Sequence, residues 1–326
     1  MFDYLKGFSM TDKFIRRDKD SAVGNIRLWF KTILCLTPIA AVLRMLSYFT
    51  SFDAEIGYFN ESFFVTLVNW LLIITSAFAI AGFVFISKDA DLSRKIDNGA
   101  NSIYFSATFA GFIMLADFAY KVVTLIGEGK LSYYKMIFDS AFRSENAYML
   151  RVSAVIEMMG VLAALLSAAC FFIRSSKSPK AKLSAWLGFF PIVRALVGVA
   201  EMYFDMTVQM NHPSKLMLQF ALISVMFYFL CEEREYVSPE HARPRRFFIA
   251  GCLAYFLSFV GGFSEVIGFF TGKLSEGAFC IEAFFCFVIS FYILARTNSF
   301  VRGVGASAEI VEEVTEEAVA EEKIDE

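Results

Sequence analysis

Residues 149–182 read MLRVSAVIEMMGVLAALLSAACFFIRSSKSPKAK, and the fold class follows from them. The 25 residues from Met149 to Ile173 carry two charges, Arg151 and Glu157, both near the start. A helix of about 20 such residues crosses roughly 30 Å of hydrocarbon. The next nine residues, 174–182, hold four bases and no acid (Arg174, Lys177, Lys180, Lys182), the pattern of a short cytoplasmic loop.

Outward from this stretch, runs of the same kind recur at 28–49, 63–87, 100–126, 183–208, 214–231, 247–271 and 277–295. Together they predict an all-α, polytopic membrane protein with eight transmembrane helices. Composition agrees: 57% hydrophobic residues, 39 Phe in 326 and 19% charge exclude a water-soluble surface. The first 27 residues hold ten charges and no apolar core, so they do not read as a cleavable signal, and the first span is expected to serve as the targeting signal.

Lysine and arginine set the expected orientation. Twenty lie in residues 1–27, 88–99, 174–182 and 232–246 and after the last span, against five (Lys130, Lys135, Arg143, Lys215, Lys273) in the alternate loops. That bias predicts four hairpins in a cell membrane with both termini cytoplasmic: an N-terminal segment 1–27, a membrane domain 28–296 and an acidic tail 297–326. Nine acids within 306–326 imply a disordered or loosely helical solvated tail, or one that meets a protein partner through Val311, Val314 and Ala318. In the one sizeable outer loop, 127–148, Leu131 to Phe142 reads either as an interfacial helix or as a plain connection.

The spans share small motifs. Leu115-Ala116-Asp117, Val199-Ala200-Glu201 and Phe263-Ser264-Glu265 place an acid in three odd spans, and Asn69, Glu157, Gln219 and Glu282 place a hydrogen-bonding residue near the outer start of each even one. Pro38 and Pro191, each followed by an arginine (Arg44, Arg194), mark the first and fifth spans. Duplicated hairpins or chance recurrence in Phe- and Ala-rich sequence both explain this. Each proline removes a helical hydrogen bond, to Leu34 and Leu187 respectively, so both spans are expected to kink.

Chemistry concentrates where charge meets hydrocarbon, because an ionisable group inside a span costs roughly 2.5–3.5 kcal/mol and faces the bundle interior. With the predicted orientation, Arg44, Asp117, Lys121, Arg151, Glu157, Glu201, Asp205, Glu265 and Glu282 map to the outer half and Arg194 to near the midplane. The inner halves are almost purely apolar. This pattern predicts an outward polar pocket above an apolar cytoplasmic floor, formed by Arg194, Glu201, Asp205, Glu265, Asp117, Glu157, Glu282 and Arg44. Asp117 and Lys121 stand four apart, in the order that lets them pair within one helix. Arg194 is expected to be held by Asp117, Glu157, Glu201 or Glu265, since a lone guanidinium in low dielectric is costly. Two helix faces set small residues beside an acid, Ser153-Glu157-Gly160-Ala164-Ala168 and Ala254-Ser258-Gly261-Gly262-Glu265, which places those acids at helix contacts.

The ten groups comprise four bases and six acids, so at least two acids need a proton, a cation or water. The reading that follows is a carrier, or substrate-binding membrane subunit, for a small cationic or zwitterionic solute. A non-catalytic sensory or accessory protein with its charges as packing glue is the second reading, and a membrane enzyme acting on lipid headgroups the third. Enzyme signatures are poor. His212 and His241 are too few and too far apart for a metal site. Glu232-Glu233-Arg234 lacks the spacing and histidines of an intramembrane prenyl-endopeptidase. The six cysteines show no metal-binding or disulfide spacing. No cofactor or nucleic-acid partner is implied, and membrane lipid is the one partner composition requires.

Overall fold

A computed structural model describes residues 8–53, 56–85, 101–139, 142–144, 146–176, 181–204, 211–238, 243–274 and 277–322. The elements are α1 (Phe8–Thr50), β1 (Phe52–Asp53), β2 (Tyr58–Phe59), α2 (Phe63–Phe85), α3 (Asn101–Gly127), α4 (Lys130–Phe138), α5 (Ala147–Arg174), α6 (Ala181–Leu187), α7 (Phe189–Phe204), α8 (Pro213–Val237), α9 (Pro244–Phe270) and α10 (Gly277–Glu322). Eight stretches are long and apolar enough to cross a membrane: Asn25–Thr50, Phe63–Val84, Asn101–Gly127, Ala147–Arg174, Leu183–Phe204, Pro213–Val237, Pro244–Phe270 and Cys280–Gly303. Each coincides with a run read from the sequence, which points to a multi-pass membrane protein.

The fifth stretch is interrupted. Pro191 has no N–H for the Leu187 carbonyl, and the helix breaks one residue later, at Gly188, between α6 and α7. Pro38 lies inside α1, which is assigned as one helix from Phe8 to Thr50.

Helix α9 is the hub, packed on α1, α2, α8 and α10, while α3 packs on α5 and α10, and α7 on α5 and α8. The most apolar window of α9 is 72% buried, against 17% for α2 at the periphery. At Gly262 the α10 backbone lies so near that a Cβ would stand 2.7 Å from Phe287 Cα and 2.8 Å from the Ala283 carbonyl oxygen. That closeness is why small residues line the contact. Ala254, Ser258, Gly261 and Glu265 are buried with it, as the face expected of this span requires. Phe259, Phe263, Phe287 and Phe291 interlock over the same seam with ring centroids 5.1–5.9 Å apart. The periphery instead exposes large apolar side chains, among them Phe63, Trp70, Val84, Phe105 and Trp186, as a lipid-facing surface does.

Three further features differ from expectation or resolve it. Residues 130–138 are helical: Gly129 turns the chain with φ 66°, and α4 buries Tyr134 and Ile137 against Ala154 while exposing Leu131, Tyr133, Met136 and Phe138. Between α1 and α2 a two-residue antiparallel ribbon pairs Phe52 with Phe59 and Asp53 with Tyr58, which hydropathy did not disclose. Finally, α10 stays helical to Glu322, past the predicted membrane domain. The side chains beyond Gly303, including Val311, Val314 and Ala318, lie outside the described residues, as do loop 88–99 and Asp205.

Candidate functional site

Arg194 on α7 is fully buried at the meeting of three helices. Its Nε donates to Asp117 Oδ2 of α3 and its Nη2 to Glu282 Oε1 of α10, each at 2.6 Å. The guanidinium carbon also lies 5.4 Å from the Phe285 ring centroid. The requirement that carboxylates hold this arginine is met. Asp117 was among the expected partners and Glu282 was not. Three polar atoms at this centre, Arg194 Nη1, Asp117 Oδ1 and Glu282 Oε2, have no hydrogen-bond partner among the described residues. Two of them converge: a Cβ on Gly198 would stand 2.8 Å from Nη1 and 3.0 Å from Oε2.

Asp117 does not pair with Lys121 one turn along its own helix. Lys121 reaches across to Glu201 on α7, 2.6 Å from both carboxylate oxygens. The tertiary partner wins because Arg194, with two donors already aimed, takes Asp117 first, and Gly160 on α5 leaves room for the second pair. A Cβ there would lie 2.6 Å from Glu201 Oε1 and 3.4 Å from Lys121 Nζ. The small-residue face of α5 therefore accommodates an acid from α7.

Next to this pair, α4 forms a partly exposed rim. Lys130 donates to Glu157 at 3.2 Å and also lies 3.4 Å from the exposed Glu128, and Tyr134 donates to Glu157. Arg151 ties the end of α4 to α5 through the carbonyls of Ile137 and Asp139, at 2.9 and 3.3 Å. Partial burial pulls the Lys130 ammonium down, but Glu157 and Glu128 outweigh it and leave the group above its ordinary range. Burial, then the hydrogen bond and charge of Glu157, push the Tyr134 phenol up as well.

Arg44 and Glu265 make a separate, neutral pair of α1 and α9 at 2.9 Å. Arg44 also donates to Ser264 at 3.2 Å, and Tyr48 donates to the other Glu265 oxygen at 2.5 Å and contacts Ser214 at 3.0 Å. With Arg44, Asp117, Arg194, Glu265 and Glu282 all buried, the structure is closed around these residues. It joins Asp117, Arg194 and Glu282 in one network, with Lys121–Glu201 beside it, and keeps Arg44–Glu265 apart.

The far end of the bundle is not the apolar floor expected. Arg174 of α5, Glu232 and Glu233 of α8 and Arg296 of α10 are buried there together. Glu232 accepts from Arg174, Arg296 and Tyr292, each at 2.8 Å, and Tyr228 donates to it at 3.4 Å. Arg174 also pairs with Glu233, whose carboxylate packs over Gly188 at the break in the fifth stretch. Arg296 donates to the Tyr236 hydroxyl at 2.5 Å. Two bases match two acids here. These groups read as loop residues because they adjoin the basic runs, yet α5 and α8 extend 28 and 25 residues and carry them into the packed interior.

The two ends differ chemically. The far cluster is neutral and nearly saturated, whereas Asp117, Glu201 and Glu282 outnumber Arg194 and Lys121 by one negative charge, with two acceptor oxygens and one donor left over. Comparison with known protein families, with curated proteins and with solved structures finds no match for this chain.

Proposed function

We propose that the chain is a membrane carrier for a small cationic or zwitterionic solute, and that the network around Arg194 is where positive charge is taken up. The observation that supports this most is the excess acid in the set of buried Asp117, Arg194 and Glu282 with the half-buried Lys121 and Glu201, together with its three unpartnered polar atoms. Structural glue needs balanced charge, since each uncompensated carboxylate is costly in low dielectric. Lys130 and Glu157 are partly exposed, and the buried Tyr134, bonded to Glu157, also stands near Glu201. In this reading the four hairpins stand with both termini in the cytoplasm and this network toward the outside, on the strength of the twenty-to-five bias of basic residues. A cysteine at Asn60 that labels from outside, and one at Ser178 that labels only after permeabilisation, test that orientation.

A carrier also needs a second arrangement. The break at Gly188, between the neutral far cluster and Arg194, is a suitable hinge. The competing reading, a non-catalytic accessory or sensory protein, draws on the balanced pairing of Arg44 with Glu265 and of Arg174 and Arg296 with Glu232 and Glu233.

Thermal unfolding of the purified chain with tetramethylammonium, betaine, putrescine or lysine separates the two. The carrier reading expects at least one of these to raise the melting temperature of the wild type and to lose that effect in Glu201→Gln. If none stabilises the wild type, while Glu201→Gln simply melts earlier, the accessory reading stands instead.

A further inference from the structure

We propose that the carrier's route runs along the axis of a ring of five helices, and that the side chains of Phe171, Phe229 and Tyr292 are the gate that closes it. The passage of solute rests on the carrier reading, while the closed axis does not.

The ring follows from which helices touch. Helix α3 packs on α5, α5 on α7, α7 on α8, α8 on α10, and α10 again on α3. Helix α9 packs on α8 and α10 from beside the ring, with α1 and α2 against it. Both charged networks reach across the ring. Arg194 extends from α7 to Asp117 of α3 and Glu282 of α10, and Arg174 extends from α5 to Glu232 of α8. Neither arginine thus pairs with a neighbour of its own helix in the ring, so each pair crosses the interior. The two networks lie one above the other on a common axis.

Three of the five helices link the networks by a single face. On α5, Gly160 stands against Glu201 and is followed by Ala164, Ser167, Phe171 and Arg174, at alternating spacings of four and three residues, all buried. On α10, Glu282 and Arg296 are 14 residues apart, about 21 Å of helical rise, with Cys286 and Tyr292 between them on the same side. On α8, Leu222 at Gly198 precedes Phe229 and Glu232.

The gate sits just above the far cluster. Phe171, Phe229 and Tyr292 are fully buried, one from each of these helices. The Phe171 ring centroid lies 5.9 Å from that of Phe229 and 5.2 Å from that of Tyr292, and the last two are 6.2 Å apart. Tyr292 turns its hydroxyl to Glu232 at 2.8 Å and so presents its ring to the other two. An apolar constriction of this kind closes a route by excluding water. Phe171 also stands one turn before Arg174, whose partner Glu233 packs over the break at Gly188, so a bend there pulls on the gate through two contacts. One turn on the other side of Phe171, the fully buried Ser167 hydroxyl has no hydrogen-bond partner among the described residues. A bare polar atom at that level suits a route that water or solute enters when the rings part. Plain core packing accounts for three rings in contact, but not for the charged residues that the same faces carry at both ends, nor for the bare hydroxyl.

Native Cys286 reports on the axis, because it is buried one turn from Glu282 on α10, between the Arg194 network and the gate. Aminoethyl methanethiosulfonate is presented, without solute, to one face at a time of proteoliposomes holding the full chain, and modification of Cys286 is read by mass spectrometry. In wild type, Cys286 is expected to react far more slowly than the partly exposed Cys280 of the same helix. Phe171→Ala should speed it about tenfold or more from the face of the far cluster alone, since the lost phenyl leaves a cavity in the gate and the Arg194 network still shuts the other side. Phe256→Ala removes an equally buried phenyl from α9, beside the ring, and should leave the rate near wild type. If Phe171→Ala does not fold, Phe171→Leu decides, with about a threefold rise expected from its smaller cavity. A wild-type Cys286 as fast as Cys280, no rise in the Phe171 variant, a rise from the other face only, or an equal rise in Phe256→Ala overturns the proposal. A gated axis in a protein that no solute stabilises would sink the carrier reading alone. Solute stabilisation with an unmoved Cys286 rate would sink the gate alone.

Discussion

Lys121 of α3 holds both carboxylate oxygens of Glu201 on α7 at 2.6 Å and leaves Asp117, four residues earlier on its own helix, to Arg194. Two helices that each carry one acid and one base in this network thus exchange partners. The network is tertiary, and mutations across it should couple. A double-mutant cycle of Lys121→Met and Glu201→Gln is expected to give a coupling energy of about 0.5–3 kcal/mol by thermal or chemical unfolding. The cycle of Lys121→Met with Asp117→Asn should give clearly less. Equal coupling in the two cycles would mean that the intrahelical pair forms after all.

At the far end, Glu232 takes charge-assisted bonds from two arginines, while Glu233 pairs with one, Arg174, among the described residues. Glu232→Gln leaves a buried arginine uncompensated and should destabilise by about 3–5 kcal/mol. Glu233→Gln should cost less, since Arg174 keeps Glu232. Unfolding midpoints of the two variants check the order.

The seam of α9 and α10 gives a sharper contrast between neighbours. Gly262→Ala drives a methyl into the backbone of Phe287 and Ala283, which cannot yield without separating the helices, whereas Gly261→Ala meets the flexible side chain of Met217 at 3.2 Å and Ala221 Cβ at an ordinary 3.8 Å. Overpacking costs typically about 1–3 kcal/mol, and the Gly262 variant belongs at or above that upper end. The Gly261 variant should unfold close to wild type.

The runs that became helices were legible because about 20 apolar residues in a row have one low-energy solution in a bilayer, and all eight coincide with helices. Partner choice was not. Spacing on α3 favoured Asp117–Lys121, and nothing in one helix's sequence reveals that Arg194 and Glu201 of another stand opposite. Arg174, Glu232 and Arg296 were missed for a different reason, since proximity to basic runs marks a residue as loop even when its helix outlasts the hydrocarbon. One usable signal was present: Tyr228 and Glu232, and Tyr292 and Arg296, are each four apart, so each pair shares a helix face. The break beside Pro191 was foreseeable from its missing N–H.

Alkaline pH should loosen α4 before the rest of the bundle. The Lys130 ammonium and the Tyr134 phenol both hold their protons to higher pH in the folded chain than in the unfolded one. Their contribution is therefore complete below the ordinary lysine and tyrosine values of about 10 and fades as pH rises above them. Hydrogen exchange over residues 130–138 should accelerate in that window beyond its ordinary rise with pH, and Glu157→Gln should bring the change to lower pH. Exchange that follows the unstructured-peptide trend in both proteins would show that the rim pairs do not hold α4.

The claim that the Arg194 network takes up positive charge during transport is tested most directly by electrometry on proteoliposomes. The chain is challenged with concentration jumps of tetramethylammonium, betaine, putrescine or lysine. The account predicts a transient current for at least one of the four in wild type, and its loss in a Glu282→Gln protein that still inserts and runs as a single species. No current with any probe, or the same current in Glu282→Gln, would contradict it.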